Sequence, residues 1–221
     1  MLKKTEFEKR EMLIMHKKVF TVFGDSISVQ YTPYLKEELQ EFEFVPKVEG
    51  KEAYEDLDIP KGTNCGDSKM LLEYISAAEK DGKLDKDLYL VNAGLHDIRI
   101  DPSTGRRQVE DTDYRKNLTD ILTLLLGHGA RVIFINTTNA DEAVHNVRIS
   151  KFWRYSKDVQ AVNRIAAEVC EECGVALIDL YTFTLQFGKE GYADHIHYTS
   201  EIAKKQADFI AGEVRELWNK E

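Results

Sequence analysis

The amino-acid sequence predicts a three-layer α/β/α sandwich around a five-stranded parallel sheet. Three observations predict it. Short runs rich in Val, Ile, Leu and Phe recur along the chain, and several end at glycine or asparagine. Between them lie stretches with apolar residues at helical spacing. Such alternation argues for βαβ units, whose right-handed crossovers place helices on both faces of the sheet. The length of 221 residues suits one domain that buries a sizeable core without a metal or disulfide staple.

Taken in order, Val19–Phe23 is a β-branched and aromatic run that stops at Gly24 and reads as a buried strand. Phe42–Val48 alternates apolar and polar residues around Pro46, the pattern of an edge strand. Met70, Leu71, Tyr74, Ile75 and Ala78 form a helical stripe that ends at Asp81-Gly82. Leu88–Val91 is the next buried strand and runs into Asn92-Ala93-Gly94. Tyr114, Leu118, Ile121, Leu122 and Leu125 mark a second helix, closed by Gly127 and Gly129. Val132–Ile135 follows as a strand, and Val159, Val162, Ile165, Ala166, Val169, Cys170 and Cys173 line a third helix that ends at Gly174. Val175–Leu180 is the last strand. Ile202, Ala203, Ala207, Ile210 and Val214 line a final helix capped by Thr199 or Ser200. Residues 1–17 form a candidate N-terminal extension, packed as an extra helix or loose, ahead of a single domain over 18–221.

Composition narrows the function. Hydrophobic residues at 43% and charged residues at 31% are ordinary for a globular chain and exclude wholesale disorder. A net charge of −9 argues against a nucleic-acid binder, which needs a basic face to track phosphates. No run of about 18 apolar residues is present, so no helical membrane span is expected. In Met1–Lys18 the charges from Glu6 to Glu11 interrupt any signal-like apolar core, and three cysteines make an incomplete disulfide framework. The expected compartment is therefore the cytoplasm. The sequence leaves the oligomeric state open.

In open α/β sheets, ligands bind beyond the carboxyl ends of the strands. Four segments fall there: Gly24-Asp25-Ser26, then Gly62-Thr63-Asn64-Cys65-Gly66-Asp67-Ser68, then Gly94-Leu95-His96-Asp97, and Asp194-His195-Ile196-His197 before the final helix. In this order the set resembles the SGNH (GDSL) hydrolase family of esterases and acyl hydrolases. Gly-Asp-Ser alone is a weak match; Gly-Asp-Ser after a first strand together with Asp-x-x-His before a C-terminal helix is specific. The family fold is a flavodoxin-like sandwich, in agreement with the alternation read above.

The resemblance implies that Ser26 is the nucleophile, His197 its base and Asp194 the carboxylate that orients the base. A serine hydroxyl is a weak nucleophile until a base takes its proton, and the carboxylate steadies the imidazolium that results. Ser26 could instead cap a helix, as serines often do. Ser28 and His195 are rivals by type, although Ser28 lies past the turn and His195 is adjacent to Asp194. The resemblance also implies an oxyanion hole from the backbone N–H of Ser26, the backbone N–H of Gly66 (with Gly62 the alternative) and a side chain of the third block. That block usually reads Gly-x-Asn-Asp, whereas here His96 stands in the asparagine position. A histidine N–H can donate in place of an amide, with a changed reach and a new pH dependence. Asp97 reads as a residue that orders the loop.

No cofactor and no metal are implied. Cys170-x-x-Cys173 has no second pair to complete a zinc site and falls on an apolar helical stripe, where cysteine packs as a small hydrophobe. Cys65 belongs to no nucleophile motif. The long connection from Asn139 to Tyr155 carries His145, Asn146, Arg148, Phe152, Trp153, Arg154 and Tyr155, which could wall a substrate site, make a dimer contact or form a solvated rim. The expected activity is hydrolysis of acetyl or other short-chain esters on a polar substrate such as a carbohydrate. The alternatives are a lysophospholipase, a thioesterase or an acyltransferase on the same scaffold, and a non-catalytic flavodoxin-like binding module.

Overall fold

A computed structural model describes residues 17–220; most of the expected N-terminal extension lies outside the described residues. Five strands form one sheet: β1 (Lys18–Phe23), β2 (Phe42–Phe44), β3 (Leu88–Val91), β4 (Arg131–Ile135) and β5 (Ala176–Ile178). Their order is β2-β1-β3-β4-β5 and every pairing is parallel. β3 and most of β1 and β4 are buried on both faces, which explains why their sequences are continuous apolar runs rather than alternating ones.

Eight α-helices are seen among the described residues: α1 (Ser26–Glu38), α2 (Glu52–Glu55), α3 (Ser68–Lys80), α4 (Asp111–Gly127), α5 (Glu142–Arg148), α6 (Ser156–Cys173), α7 (Leu180–Leu185) and α8 (Ser200–Asn219). α1 packs against α8, while α3, α4 and α6 pack side by side. The three expected layers follow: α1 and α8 on one face, α3, α4 and α6 on the other. The chain steps outward from β1 to β2, then returns to β3 on the far side of β1. The carboxyl ends of β1 and β3 are therefore the topological switch point, where this kind of sheet opens a crevice.

Several expected boundaries shift. β2 stops at Phe44 rather than Val48, because Pro46 cannot donate to the ladder; its edge position is as expected. β5 ends at Ile178, since the Asp179 side chain caps α7 by accepting from the Thr182 N–H at 3.0 Å. The long Asn139–Tyr155 connection contains α5, which Asp141 caps. α1 itself was not expected. It runs through Pro33 and begins with Ser, Ile, Ser, Val and Gln, a stretch without an apolar stripe, yet it buries Ile27, Val29, Tyr31 and Leu35. Thr199, not Ser200, caps α8.

Cys170 is buried and Cys173 half-buried on α6, and all three cysteines are free. Burial pushes the Cys170 thiol up to about 12, consistent with a packing role.

Candidate active site

Ser26 is the first residue of α1, placed there by the turn that closes β1. The turn has one tight point: a Cβ on Gly24 would lie 2.6 Å from Ser28 Oγ and 3.1 Å from the Asn92 Cβ. Asp25, fully buried, caps α1 by accepting the Ile27 N–H at 2.9 Å. Ser26 is therefore not the cap, and its hydroxyl is free for other work. Burial raises the Asp25 carboxyl, opposed by the hydrogen bond from Ile27 and by the charge of Arg154.

The Ser26 hydroxyl meets His197 Nε2 at 3.0 Å, and His197 Nδ1 meets Asp194 Oδ2 at 2.8 Å. In the tautomer that satisfies both contacts, Nδ1–H donates to the carboxylate and the serine O–H donates to Nε2. The three-residue spacing makes this possible. Asp194 Oδ1 accepts the N–H groups of Ile196 (2.7 Å) and His197 (2.8 Å), which folds the segment back on itself. Burial alone would raise the Asp194 carboxyl, but the His197 ring and those two N–H groups hold it well below its usual range. Helix α1 also grips the histidine segment: Gln30 donates to the Tyr198 carbonyl at 2.9 Å and accepts the Tyr198 N–H at 3.1 Å. Ser26 and His197 are 2% and 4% exposed, so the pair is largely shielded from bulk water.

The rivals go elsewhere. Ser28 Oγ donates to the Asp25 carbonyl at 2.6 Å. The His195 ring shares a 2.9 Å Nδ1 to Nδ1 hydrogen bond with His145.

The candidate oxyanion donors are less uniform. The Ser26 N–H belongs to the first turn of α1, where no intrahelical acceptor exists. Gly66 has φ of +70°, a backbone conformation that favours glycine, and a Cβ there would also have to displace Met70 Sδ, 2.7 Å away. Its N–H, expected to face the oxyanion, instead donates to Asn64 Oδ1 at 3.0 Å. His96 is 3% exposed and makes no hydrogen bond through its ring among the described residues. Burial first, then the charges of Arg99, Arg154 and His197, drive its pKa well below the usual histidine value. The ring is thus neutral at neutral pH and carries one N–H. Asp97 accepts the Ser68 N–H at 2.9 Å, tying the third block to the start of α3.

Among the described residues, no group of His, Cys, Asp or Glu side chains is arranged to hold a metal ion, and no helix is long and apolar enough to cross a membrane. Two features escaped the sequence reading. One is the buried His145–His195 pair. The other is Arg154, which is 1% exposed and donates from Nε to the Leu95 carbonyl at 2.8 Å. Arg148, another residue of that connection, is exposed at the end of α5.

The fold is shared with solved hydrolases. A lipase/acylhydrolase from Enterococcus faecalis superposes with a TM-score of 0.65 at 18% identity, over 90% of this chain and 96% of that one. A carbohydrate acetylesterase from Sinorhizobium meliloti gives 0.63 at 13% identity, over 91% and 100%. A psychrotrophic esterase from Pseudoalteromonas gives 0.63 at 12% identity, over 92% and 100%. No curated protein matches the chain by sequence. The sequence profile of the GDSL-like lipase/acylhydrolase family matches residues 22–205, from the first strand into the last helix, and on that match the chain belongs to this family.

Proposed function

We propose that the chain is a serine esterase that removes acetyl or other short acyl groups from a polar substrate such as a carbohydrate, through an acyl-enzyme. The observation that carries this reading is the continuous hydrogen-bonded line from Ser26 through His197 to Asp194. Ser26 Oγ attacks the ester carbonyl while His197 Nε2 takes its proton. The imidazolium then protonates the departing alcohol, leaving the acyl group on Ser26. Water, deprotonated by His197, releases the acid and restores the serine. Asp194, held ionised, holds the ring in register and stabilises its positive charge.

The tetrahedral oxygen needs donors aimed at it. In this reading the Ser26 N–H and the His96 ring supply them. The Gly66 N–H joins once Asn64 shares or releases its bond. The similarity to a carbohydrate acetylesterase supports a polar alcohol moiety, and the polar, aromatic residues of the Asn139–Tyr155 connection agree with it.

The test is covalent labelling followed by turnover. A fluorophosphonate should label the wild-type protein and not Ser26→Ala, and Ser26→Ala should lose at least ~10⁴-fold in kcat with its fold intact. Retention of more than about a tenth of wild-type turnover, a barrier change of only ~1.4 kcal/mol, would remove Ser26 as the nucleophile. Acetate release from acetylated sugars, compared with nitrophenyl esters of rising chain length, decides the acyl preference. Faster turnover of long-chain esters would favour a lysophospholipase-like substrate instead.

A further inference from the structure

Two guanidinium groups lie over one aromatic ring near the third block, and neither has an ion-pair partner among the described residues. Arg99 lies over the Phe152 ring at 4.3 Å from its centroid, and Arg154 lies over the same ring at 4.9 Å. The chain fixes both. Ile100 and Trp153 exchange two backbone hydrogen bonds of 2.8 Å, which clamps the Phe152–Arg154 segment onto the residues after β3. Asn146 then brackets Arg154, accepting its N–H and donating to its carbonyl, each at 2.9 Å.

A guanidinium carries five N–H donors. Arg154 makes one side-chain hydrogen bond, to the Leu95 carbonyl, and its buried Nη1 has no partner. Arg99 makes one, to the Asp58 carbonyl at 3.3 Å, and its buried Nε has no partner. Neither arginine is within ion-pair distance of a carboxylate among the described residues. The acids near enough to act on them electrostatically are Asp58, Asp67, Asp25 and Asp97. Asp67 acts from a distance while its oxygens cap α3 and accept from Gln108. Asp25 and Asp97 are buried with their carboxyl groups raised. Asp58 is exposed on a loop. Burying a cation with no ion-pair partner is costly: burial first, then the charge of Arg99, pulls Arg154 down to about 9 against the opposing charges of Asp58 and Asp25. Both arginines act on the His96 ring through their charge, which places the pair near the candidate oxyanion hole. Arg99 is half-buried, which leaves the pair open to a ligand on its side.

We propose that Arg99 and Arg154, stacked on Phe152 beside His96, form a subsite for an oxyanion, a carboxylate or a phosphate, carried by the ester substrate. This rests on the esterase reading and narrows its substrate to an anionic ester, such as an acetylated sugar acid. The planar guanidinium fork matches such groups with paired hydrogen bonds.

The experiment compares 4-acetoxybenzoate, its neutral counterpart 4-acetoxybenzamide, and 4-acetoxyphenyl phosphate. Each rate is normalised to the rate of the same ester with hydroxide. The wild-type protein should prefer one or both anionic esters by about ten-fold or more in kcat/KM, and Arg99→Gln should reduce that ratio by about ten-fold, with Arg99→Lys retaining part of it. The carboxylate and phosphate arms show which oxyanion is accepted. A ratio near one in the wild-type protein, or one unchanged in Arg99→Gln, overturns the subsite while hydrolysis of the neutral ester leaves the esterase reading standing. Arg154 is too buried to be the only variant, so Arg99 carries the test.

Calorimetry of 4-hydroxybenzoate and of inorganic phosphate on Ser26→Ala judges the subsite without turnover. Binding that weakens about ten-fold when Arg99→Gln is added supports it, even if no ester is hydrolysed. Absence of binding of both anions at millimolar concentration overturns it.

Discussion

At the scale of single residues, His96 stands where the third block of the resemblance has asparagine, and its surroundings set what the proposed donor can do. The ring is buried, neutral and without a hydrogen-bond partner among the described residues, so nothing fixes which nitrogen carries the proton. An amide in that place offers two N–H groups whatever its neighbours do; a neutral imidazole offers one. His96→Ala should lower kcat by about 10²–10³ with little change in KM, the usual loss for one oxyanion donor, and His96→Asn should recover part of that loss. The new pH dependence that the histidine suggested from sequence alone moves out of the neutral range, because its pKa is depressed. The wild-type to His96→Asn turnover ratio should therefore be flat from pH 7 to 9. Equal, near-wild-type turnover of both variants at matched folded fraction would take His96 out of the mechanism. The residues in sequence blocks were legible because their chemistry depends on local spacing: three residues from Asp194 let the His197 ring turn back onto it, and one residue does not for His195. Arg154 was not legible, since its burial comes from Asn146, Leu95 and Phe152 closing around it, contacts that span up to 59 positions.

At the scale of elements, the strands and the long amphipathic helices could be read because burial leaves a period in the sequence. β1, β3 and β4 are apolar runs, and α3, α4 and α6 show their stripes. α1 could not be read this way. Its first turn is held by the Asp25 cap and by contact with α8, and Pro33 breaks the pattern that would mark a helix. The junction of β1 and α1 is also the most exacting packing point near the site. Gly24→Ala would set a methyl group 2.6 Å from Ser28 Oγ and 2.8 Å from Ser28 Cβ, so the first turn of α1 must move and carry Ser26 with it. Overpacking of this kind costs about 1–3 kcal/mol, which for a domain of this size is a fall of roughly 2–10 °C in Tm. Turnover should fall further than the loss of folded protein explains, and Gly24→Ala combined with Ser28→Gly should recover part of both. A Gly24→Ala variant with unchanged Tm and kcat would show that the turn has slack the geometry denies.

At the scale of the whole molecule, the doubly wound topology gathers the ionisable groups of four distant segments at one edge of the sheet and buries several of them. Their neutrality couples the stability of the fold to pH in two opposed directions. His145 is lowered to about 3 by burial, then by the charges of Arg154 and His195, and burial lowers His195 as well. Below the unfolded histidine value of about 6.5 the unfolded chain binds these protons and the folded chain resists them, so stability falls as pH drops from there towards 3. Asp97 runs the other way. Burial raises it to about 7, so between its ordinary value of 3.8 and 7 the folded chain holds a proton that the unfolded chain has released. Stability from this group is lost as pH rises through that window, and the loss is complete above it. Asp97→Asn keeps an acceptor for the Ser68 N–H and cannot ionise. Relative to wild type, its Tm should therefore rise with pH from 4 to 7, by about 1 kcal/mol per pH unit or a few degrees, and then level off. His145→Phe keeps an aromatic ring beside Phe152 and cannot charge, so its Tm relative to wild type should rise as pH falls from 6.5 to 4. Thermal melts of the three proteins across pH 4–8 separate the two effects by sign. A Tm difference for Asp97→Asn that stays constant across the range would mean Asp97 is ionised in the folded protein, and its hydrogen bond to Ser68 would then hold a charge at the base of the loop that carries His96.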